Sequence, residues 1–215
     1  MAREERNGKR KRRDSFPKRV PDLGYYMIVT DGEKTEENYL SGLRRSLPER
    51  VQNRIVIKVS HAKTEKLVET CIREATNHPQ YCEPWIVLDR DRVPDFDKMI
   101  EQAERGSVHT GWSNPCVEAW FSAYFGPMLP NIDSVSCCRR FSEIFQRRTG
   151  REYQKADADI YSLLRQSGDE EQAVKQAETR LQTYLSEHKK PSEMCPATTL
   201  HHLVAEIRGK TDAAQ

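Results

Sequence analysis

The sequence contains no run of 18 apolar residues, and no apolar segment follows its basic start. The first absence argues against a membrane-spanning helix, and the second argues against a secretory signal peptide. We therefore expect a cytoplasmic protein. Of the 215 residues, 36% are hydrophobic and 32% are charged. This composition is polar for a folded domain, but it leaves enough apolar residues to build a core.

Two further absences narrow the class of protein. None of the six cysteines forms a Cys-x-x-Cys pair, so neither a zinc ribbon nor a thioredoxin-type site is indicated. We expect all six to be reduced thiols, as is usual in the cytoplasm. The chain also lacks G-x-G-x-x-G and G-x-x-x-x-G-K-[ST], so a dinucleotide-binding fold and a P-loop are not predicted.

Positive charge is concentrated at the start of the chain. Residues 1–19 contain nine Lys/Arg and three Asp/Glu, a net charge of +6, whereas the other 196 residues carry a net charge of −4. The densest part is a run of five basic residues: Lys9, Arg10, Lys11, Arg12 and Arg13. Such a run is typical of a segment that contacts nucleic acid through phosphate charge, although a tail that only improves solubility has the same composition.

Short apolar segments alternate with helical patterns from residue 25 to residue 125. This order predicts an α/β fold with a mostly parallel sheet of about four strands, covered by helices on both faces. The predicted strands are Tyr25–Thr30, Arg54–Ser60, Pro84–Asp91 and Ser107–Trp112. The predicted helices of this part are residues 35–47, 63–76, 95–105 and 116–125.

The second half of the chain has mainly helical patterns, over residues 139–148, 158–166, 170–187 and 199–208. We therefore divide the chain into three parts. Residues 1–22 form a basic flexible arm, residues 23–130 an α/β core, and residues 131–211 a mainly helical extension packed on that core.

Acidic and amide side chains follow the predicted strands. Asp31 and Glu33 follow the first strand, Asp89 and Asp91 end the third, and the fourth leads to other polar residues. The latter are Asn114, predicted as a helix N-cap, and Glu118, predicted one turn inside that helix. In an open parallel sheet, ligands bind beyond the carboxyl ends of the strands. We expect Asp89 and Asp91 to face the same way, because they are two residues apart in an extended segment.

Carboxylates gathered at one edge repel one another, and a divalent cation can relieve this repulsion. Their hard oxygen ligands suit Mg²⁺ or Mn²⁺, which polarises a phosphodiester and activates water. Each residue also has a simpler explanation, because Asp-Gly is a common turn and Asp often caps a strand end. Their combined placement at successive strand ends is what favours a metal site.

Five segments of the chain resemble the RloB-like family, in the order seen in that family. They are "VTDGEKTEENYLSGL", "VLDRD", "SNPCVEAWFSAYF", "YQKADADIYSLL" and "TTLHHLVAEI". The resemblance covers roughly residues 24–209. That family is similar to Toprim domains, so the resemblance implies a Toprim-like α/β core with a helical C-terminal extension. It further implies a Mg²⁺-dependent nuclease of bacterial antiphage defence, often encoded beside an ATPase partner.

The resemblance also implies roles for individual residues. The general acid/base role falls on Asp31, which also joins the metal ligands, and the paired metal ligands are Asp89 and Asp91. The family usually has Glu-Gly where this chain has Asp31-Gly32, and aspartate is one methylene shorter. A displacement of about 1 Å can cost on the order of 100-fold in rate. The site adapts to this change, Glu33 takes part, or the activity is reduced.

Other family matches complete the expected site. Asn114 and Glu118 match an Asn-Pro-x-x-Glu element, with Glu118 as a further metal and catalytic residue. Lys155 matches a position suited to holding a phosphate, and His201 one suited to an acid/base or phosphate contact; packing on a helix surface is the alternative for His201. We expect substrate to contact the basic run, Asn114, Gly32, which allows close approach, and Lys34. For Trp85, Trp112 and Trp120, we expect core packing rather than base stacking.

Two functions therefore stay open. The first is a nuclease that hydrolyses DNA or RNA. The second is a catalytically degenerate Toprim domain that senses nucleic acid or docks on an ATPase, and the change to Asp31 favours it. A receiver-like phosphoacceptor fits less well, because no lysine follows a late strand. The helical extension is equally suited to forming a homodimer and to contacting an ATPase.

Overall fold

A computed structural model describes residues 25–31, 34–61, 63–81, 83–130 and 133–212. Its centre is a five-stranded sheet in the order β2-β1-β3-β4-β5. The strands are β1 (Tyr26–Thr30), β2 (Ile55–Val59), β3 (Glu83–Asp89), β4 (His109–Asn114) and β5 (Ala197–Thr198). The first four are parallel, and β5 runs antiparallel to β4. The predicted four-strand parallel arrangement is confirmed.

Helices follow each of the first four strands and then form the second half of the chain. They are α1 (Lys34–Arg45), α2 (Glu49–Gln52), α3 (Leu67–Asn77), α4 (Phe96–Arg105), α5 (Glu118–Ala123), α6 (Ser134–Thr149), α7 (Ile160–Ser167), α8 (Glu170–Ser186) and α9 (Leu200–Asp212). Three 3₁₀ turns, at Thr64–Lys66, Arg90–Arg92 and Pro191–Glu193, complete the regular structure of the described ranges.

Strand β1 is buried along its whole length because helices cover both faces of the sheet. Tyr26 and Ile28 pack in a core with residues of α1, α5 and α9. Met27 and Val29 point to the opposite face and pack with residues of α3 and α4. This alternation explains the continuous apolar run in the sequence, since both faces of the strand meet a core.

The helical extension packs on the same core as α1 and β1. One polar link is made by the buried carboxylate Glu170, at the start of α8. One carboxylate oxygen accepts hydrogen bonds of 3.0 Å from Tyr124 and Tyr161, and the other pairs with Arg165 and Arg208 at 3.1 and 2.9 Å. Four partners compensate this buried charge, so Glu170 serves to hold α5, α7, α8 and α9 together.

Several predicted boundaries are wrong at the carboxyl ends of the strands. Strand β3 ends at Asp89, and the next residues form a 3₁₀ turn instead of extending to Asp91. Asn114 is the last residue of β4 rather than a helix N-cap, and Glu118 begins α5 rather than lying one turn inside it. The local sequence does not predict where these strands end and the next helix begins, because contacts between neighbouring strands determine these boundaries.

Strand β5 and the short helix α2 were not predicted. Strand β5 has only two residues, and side chains fix it to β4. The Thr198 hydroxyl donates to the Trp112 carbonyl at 2.9 Å and lies 3.0 Å from the Ser113 hydroxyl. Two residues carry no periodic pattern, so a strand of this kind depends on its partner and not on local sequence.

The predicted core roles of the tryptophans are confirmed, because Trp85, Trp112 and Trp120 are all buried. Five of the cysteines are free thiols in the structure, as expected, and Cys82 lies outside the described residues. No helix within the described ranges has both the length and the apolar character needed to cross a bilayer.

Gly42 marks a close contact between α1 and α7. A Cβ atom placed on Gly42 would overlap the Cβ of Tyr161, which cannot rotate away. We expect Gly42→Ala to destabilise the protein by about 1–3 kcal/mol, because overpacking outweighs the better helix propensity of alanine. Urea unfolding measures this free energy.

Gly209→Ala is the matched control, because Gly209 lies in α9 and a Cβ there would meet no atom within 4 Å. Here helix propensity acts alone, and the change should stabilise the protein by about 0.5–1 kcal/mol. Equal effects of the two substitutions would contradict the described contact between α1 and α7.

Candidate active site

The strand order creates a crevice at the carboxyl ends of β1 and β3. From β1 the chain moves to β2 on one side, and it then returns to place β3 on the other side of β1. The connections therefore leave β1 and β3 in opposite directions, and ligands of open α/β sheets bind at such a point. Asp31 follows β1 directly, and Asp89 is the last residue of β3.

Four buried carboxylates meet at this crevice, and we call them the acidic cluster. They are Asp31, Glu36, Asp89 and Glu118, with exposed fractions of 9, 1, 5 and 1%. Asp31 follows β1, Glu36 lies in the first turn of α1, Asp89 ends β3, and Glu118 begins α5. Three of the four were predicted as site residues, and the structure brings those three together.

The electrostatics of Asp89 show that the other three carboxylates act on it. Burial raises the pKa of Asp89 well above its ordinary value, and the charges of Glu36, Glu118 and Asp31 raise it further. A hydrogen bond with the backbone of Val117, next to the start of α5, acts in the opposite direction. Ionisation of Asp89 therefore destabilises the folded protein, because water does not screen the buried charge.

Glu36 is the site residue that sequence reasoning missed. Acidic residues are common in the first turn of a helix, where the dipole favours them, and this explanation was sufficient. A signal was present nonetheless. Glu36 lies three, four and seven residues before Tyr39, Leu40 and Leu43, so it is on the buried stripe of α1. An acid on such a stripe is unusual unless it is paired or functional.

Glu118 connects the acidic cluster to a cation. The Tyr153 hydroxyl donates a hydrogen bond of 2.9 Å to Glu118 Oε1, and Lys155 Nζ lies 3.9 Å from the same oxygen. The Lys155 side chain is 59% exposed, so its ammonium group faces both the cluster and solvent. The predicted position of Lys155 beside the site is in keeping with this geometry.

The loop that carries Lys155 is fixed to the start of α1. The Ala156 backbone N–H donates to Thr35 Oγ1 at 3.3 Å, and Asn38 Nδ2 donates to the Ala156 carbonyl at 2.8 Å. Ala156 has a φ of 68°, in the left-handed region that non-glycine residues rarely adopt. The two hydrogen bonds hold this conformation, and they place Lys155 beside Glu118.

Asp91 and Asn114 differ from the expected geometry. Asp91 is exposed and lies in the 3₁₀ turn after β3. The expectation that Asp91 belongs to the same extended segment as Asp89 is therefore wrong. Its backbone N–H donates to the Pro115 carbonyl at 3.2 Å, which keeps the turn at the same edge. Asn114 Nδ2 donates to the carbonyls of Pro191 and Ser192, so this amide holds the 191–193 turn.

His201 belongs to a different group. It is buried at the start of α9, and its Nε2 lies 2.7 Å from Glu178 Oε2 of α8. His202 Nε2 approaches the same oxygen at 2.9 Å. Burial lowers the pKa of His201 to about 4, despite the neighbouring carboxylate. The contacts of His201 with Glu178 and His202 give no support to its predicted acid/base role beside the acidic cluster.

The remaining predicted substrate contacts divide into two groups. Lys34 is the exposed first residue of α1, close in sequence to Glu36. Gly32 and Glu33 lie outside the described residues. The same holds for the basic run, Lys9, Arg10, Lys11, Arg12 and Arg13.

Two thiols lie next to Glu118. Cys116 Sγ is 3.8 Å from Cys138 Sγ, and each offers a donor atom within 4.8 Å of a Glu118 oxygen. The pKa of each thiol is raised far above its ordinary value, chiefly through the hydrogen bonds of the thiol groups and burial. They are therefore protonated packing groups rather than thiolate nucleophiles.

The acidic cluster fits a Mg²⁺ or Mn²⁺ ion by its donor chemistry. All its candidate ligands are carboxylate oxygens, and their mutual repulsion already raises the pKa of Asp89. Mg²⁺ usually takes one or two protein carboxylates and retains several waters, so Asp89 with one neighbour is sufficient. Compact groups of three potential ligands, by contrast, occur at Cys116–Glu118–Cys138 and Glu178–His201–His202.

Comparison with known protein families places most of the chain in a described family. The family model described as RloB-like protein matches residues 26–207, which include the acidic cluster and the loop with Lys155. No curated protein matches the chain. No solved structure matches it either.

We expect Asp89→Asn to be more stable than the wild type in EDTA at neutral pH. Burial and three carboxylates raise the pKa of Asp89 in the folded state, so the wild type loses stability as the pH rises from the unfolded pKa, near 3.9, through the folded pKa. The variant lacks this loss. Thermal unfolding across pH measures the difference, at about 2–4 °C for each kcal/mol.

Asp95→Asn is the control, since Asp95 is exposed and its side chain makes no helix-cap hydrogen bond. It should follow the wild type at every pH. Added Mg²⁺ should raise the melting temperature of the wild type more than that of Asp89→Asn. An Asp89→Asn variant that is no more stable than the wild type above the folded pKa would contradict repulsion within the cluster.

Proposed function

This chain belongs to the RloB-like family, and we propose that it is a divalent-cation-dependent nuclease that hydrolyses phosphodiester bonds of DNA or RNA. The observation that carries the proposal is the acidic cluster at the crevice between β1 and β3, with Lys155 at its margin. Buried like charges at a strand-end crevice are costly to folding, and they are found where function requires them.

We assign a task to each side chain on the basis of its position. Asp89 would hold Mg²⁺ together with Glu118 or Glu36, which approach it from α5 and α1. When bound, the ion supplies polarisation of the phosphodiester and lowers the pKa of water. Asp31, which follows β1 on the other side of the crevice, accepts a proton from the attacking water. Lys155 binds a phosphate oxygen and offsets the charge that develops in the transition state.

The position of Lys155 suits an ion pair with Glu118 when substrate is absent and a phosphate contact when substrate is bound. In the described structure it lies 3.9 Å from Glu118, within the range of an ion pair. Its side chain is 59% exposed, so a phosphate can approach the ammonium group from solvent. A divalent cation on the carboxylates would weaken the hold of Glu118 on the ammonium group, so metal and substrate binding should favour each other.

The wider setting rests on the family resemblance. We propose a Toprim-type arrangement of the site, a cytoplasmic location and a role in bacterial antiphage defence together with an ATPase partner. The basic run at residues 9–13 would increase the affinity for nucleic acid without reading its sequence. A homodimer through the helical extension is the alternative to an ATPase contact.

A non-catalytic role is the second candidate. Asp31 stands where the family usually has glutamate, and a carboxylate that is one methylene short can leave the proton acceptor out of reach. The chain would then bind nucleic acid or dock on an ATPase without cutting. The acidic cluster would still bind a cation, so metal binding alone does not distinguish the two functions.

Nuclease activity is tested with purified full-length chain, plasmid DNA and total cellular RNA, in Mg²⁺ or Mn²⁺ against EDTA. We expect cleavage of one polymer in the presence of metal. Asp89→Asn should lower the rate by about 100-fold or more, because it removes a charged ligand from the centre of the cluster. Gel electrophoresis of both substrates over time measures the rates.

Asp95→Asn serves as the control for this assay too, and it should cut at the wild-type rate. Cleavage that is equal in wild type and Asp89→Asn would point to a contaminating nuclease and contradict the assignment. If neither polymer is cut, the assay is repeated with an added ATPase partner. Failure there as well would favour the non-catalytic role.

We expect Lys155→Ala to weaken nucleic-acid binding and to reduce its salt dependence. One lost phosphate contact should lower the slope of log K against log[salt] by about 0.9 for duplex DNA. Binding is measured by fluorescence anisotropy in the Asp89→Asn background, so that the probe is not cut. Lys98→Ala is the matched control, because Lys98 is an exposed lysine on α4 that pairs with Asp95. An unchanged slope in Lys155→Ala would exclude the phosphate contact.

A further inference from the structure

A second group of potential metal ligands lies between α8 and α9. Glu178 of α8 and the adjacent residues His201 and His202 of α9 each offer one donor atom, and these atoms all lie within 4.8 Å of one another. The group consists of two imidazoles and one carboxylate, whereas the acidic cluster contains only carboxylates. The two groups are therefore suited to different ions.

The geometry of the two histidines is unusual for neighbours on a helix. Consecutive helical side chains do not face each other. Here the ring centres are 4.1 Å apart, and both Nε2 atoms approach Glu178 Oε2, at 2.7 and 2.9 Å. Two imidazole nitrogens therefore lie beside the same carboxylate oxygen of Glu178.

The hydrogen bonding of His201 is incomplete without a ligand. Its side chain is 1% exposed, and Nδ1 has no hydrogen-bond partner among the described residues. If Nε2 donates to Glu178, the buried Nδ1 is left as an acceptor with no donor, at a cost of about 1–3 kcal/mol. If Nε2 instead binds a cation, the proton moves to Nδ1, which can then donate toward the nearby backbone of Thr198.

The surroundings match those of metal-binding side chains. Ligand histidines commonly direct their second nitrogen toward a backbone carbonyl, and ligand carboxylates are themselves hydrogen-bonded. Gln182 Nε2 donates to the other oxygen of Glu178 at 2.8 Å, which orients the carboxylate.

We propose that Glu178, His201 and His202 bind one divalent transition-metal ion, with Zn²⁺ as the best fit. Two imidazole nitrogens and one carboxylate oxygen form a known zinc ligand set, and zinc accepts three protein ligands with water in the fourth position. Glu178 and His202 are partly exposed, at 41 and 47%, so an ion can enter and water can reach it. A purely structural hydrogen-bonded triad is the competing explanation, but it leaves Nδ1 of His201 unsatisfied.

Equilibrium dialysis of the untagged full-length chain against Zn²⁺, with Mg²⁺ in excess, tests the proposal. We expect one Zn²⁺ per chain. Glu178→Gln and His202→Ala should each weaken zinc binding at least about 100-fold. Removing a residue that only hydrogen-bonds to a metal ligand already costs up to about 100-fold in metal affinity, and these two residues are direct ligands in the proposal. Substituting Co²⁺ gives a visible absorption spectrum that reports the coordination geometry.

The control is the double variant Cys116→Ser/Cys138→Ser, which removes the other compact ligand group and should bind zinc like the wild type. Glu178→Gln keeps the size of the side chain, and His202 is partly exposed, so both variants should fold; circular dichroism checks this. Absence of zinc binding in the wild type, or binding that survives both substitutions, would overturn the proposal. Because nuclease assays play no part, the result is independent of the proposed function.

Discussion

Mutual repulsion among the buried carboxylates at the crevice is the constraint on which the carboxyl edge of the sheet depends. Asp89 ends a central strand and is surrounded by charges from β1, α1 and α5. The sheet, the start of α1 and the start of α5 must therefore be held firmly enough to keep like charges together. Two cores, one on each face of the sheet, supply that hold. The Val117 backbone and Lys155 act against this repulsion.

Glu170 shows what a structural buried carboxylate looks like in the same protein. Two arginines and two tyrosines surround it, and the network joins four helices. Such compensation makes a buried charge tolerable. The acidic cluster differs because the strongest influences on Asp89 are burial and other negative charges. This contrast with Glu170 is stronger support for the proposed function of the cluster than the burial of its carboxylates alone.

Sequence reasoning could identify the parallel sheet, since β1 and β3 are continuous apolar runs between helical patterns. It could also bring Asp31, Asp89 and Glu118 to one edge, because parallel strands share their carboxyl ends. It missed Glu36, whose place in a first helical turn had an adequate local explanation. It also placed Asp91 wrongly, because the change from strand to 3₁₀ turn after Asp89 depends on contacts with the Pro115 segment. Such contacts between distant segments leave no local pattern.

The fixing of the Ala156 loop to α1 has a mechanical consequence. Thr35 and Asn38, which hold the loop, lie on either side of Glu36 in the chain, so the helix that presents a carboxylate to the crevice also supports the lysine beside it. A displacement of the first turn of α1 would therefore move an anion and a cation of the site at the same time. Force applied to this one turn would shift both charges relative to the crevice, and the two could not be adjusted separately.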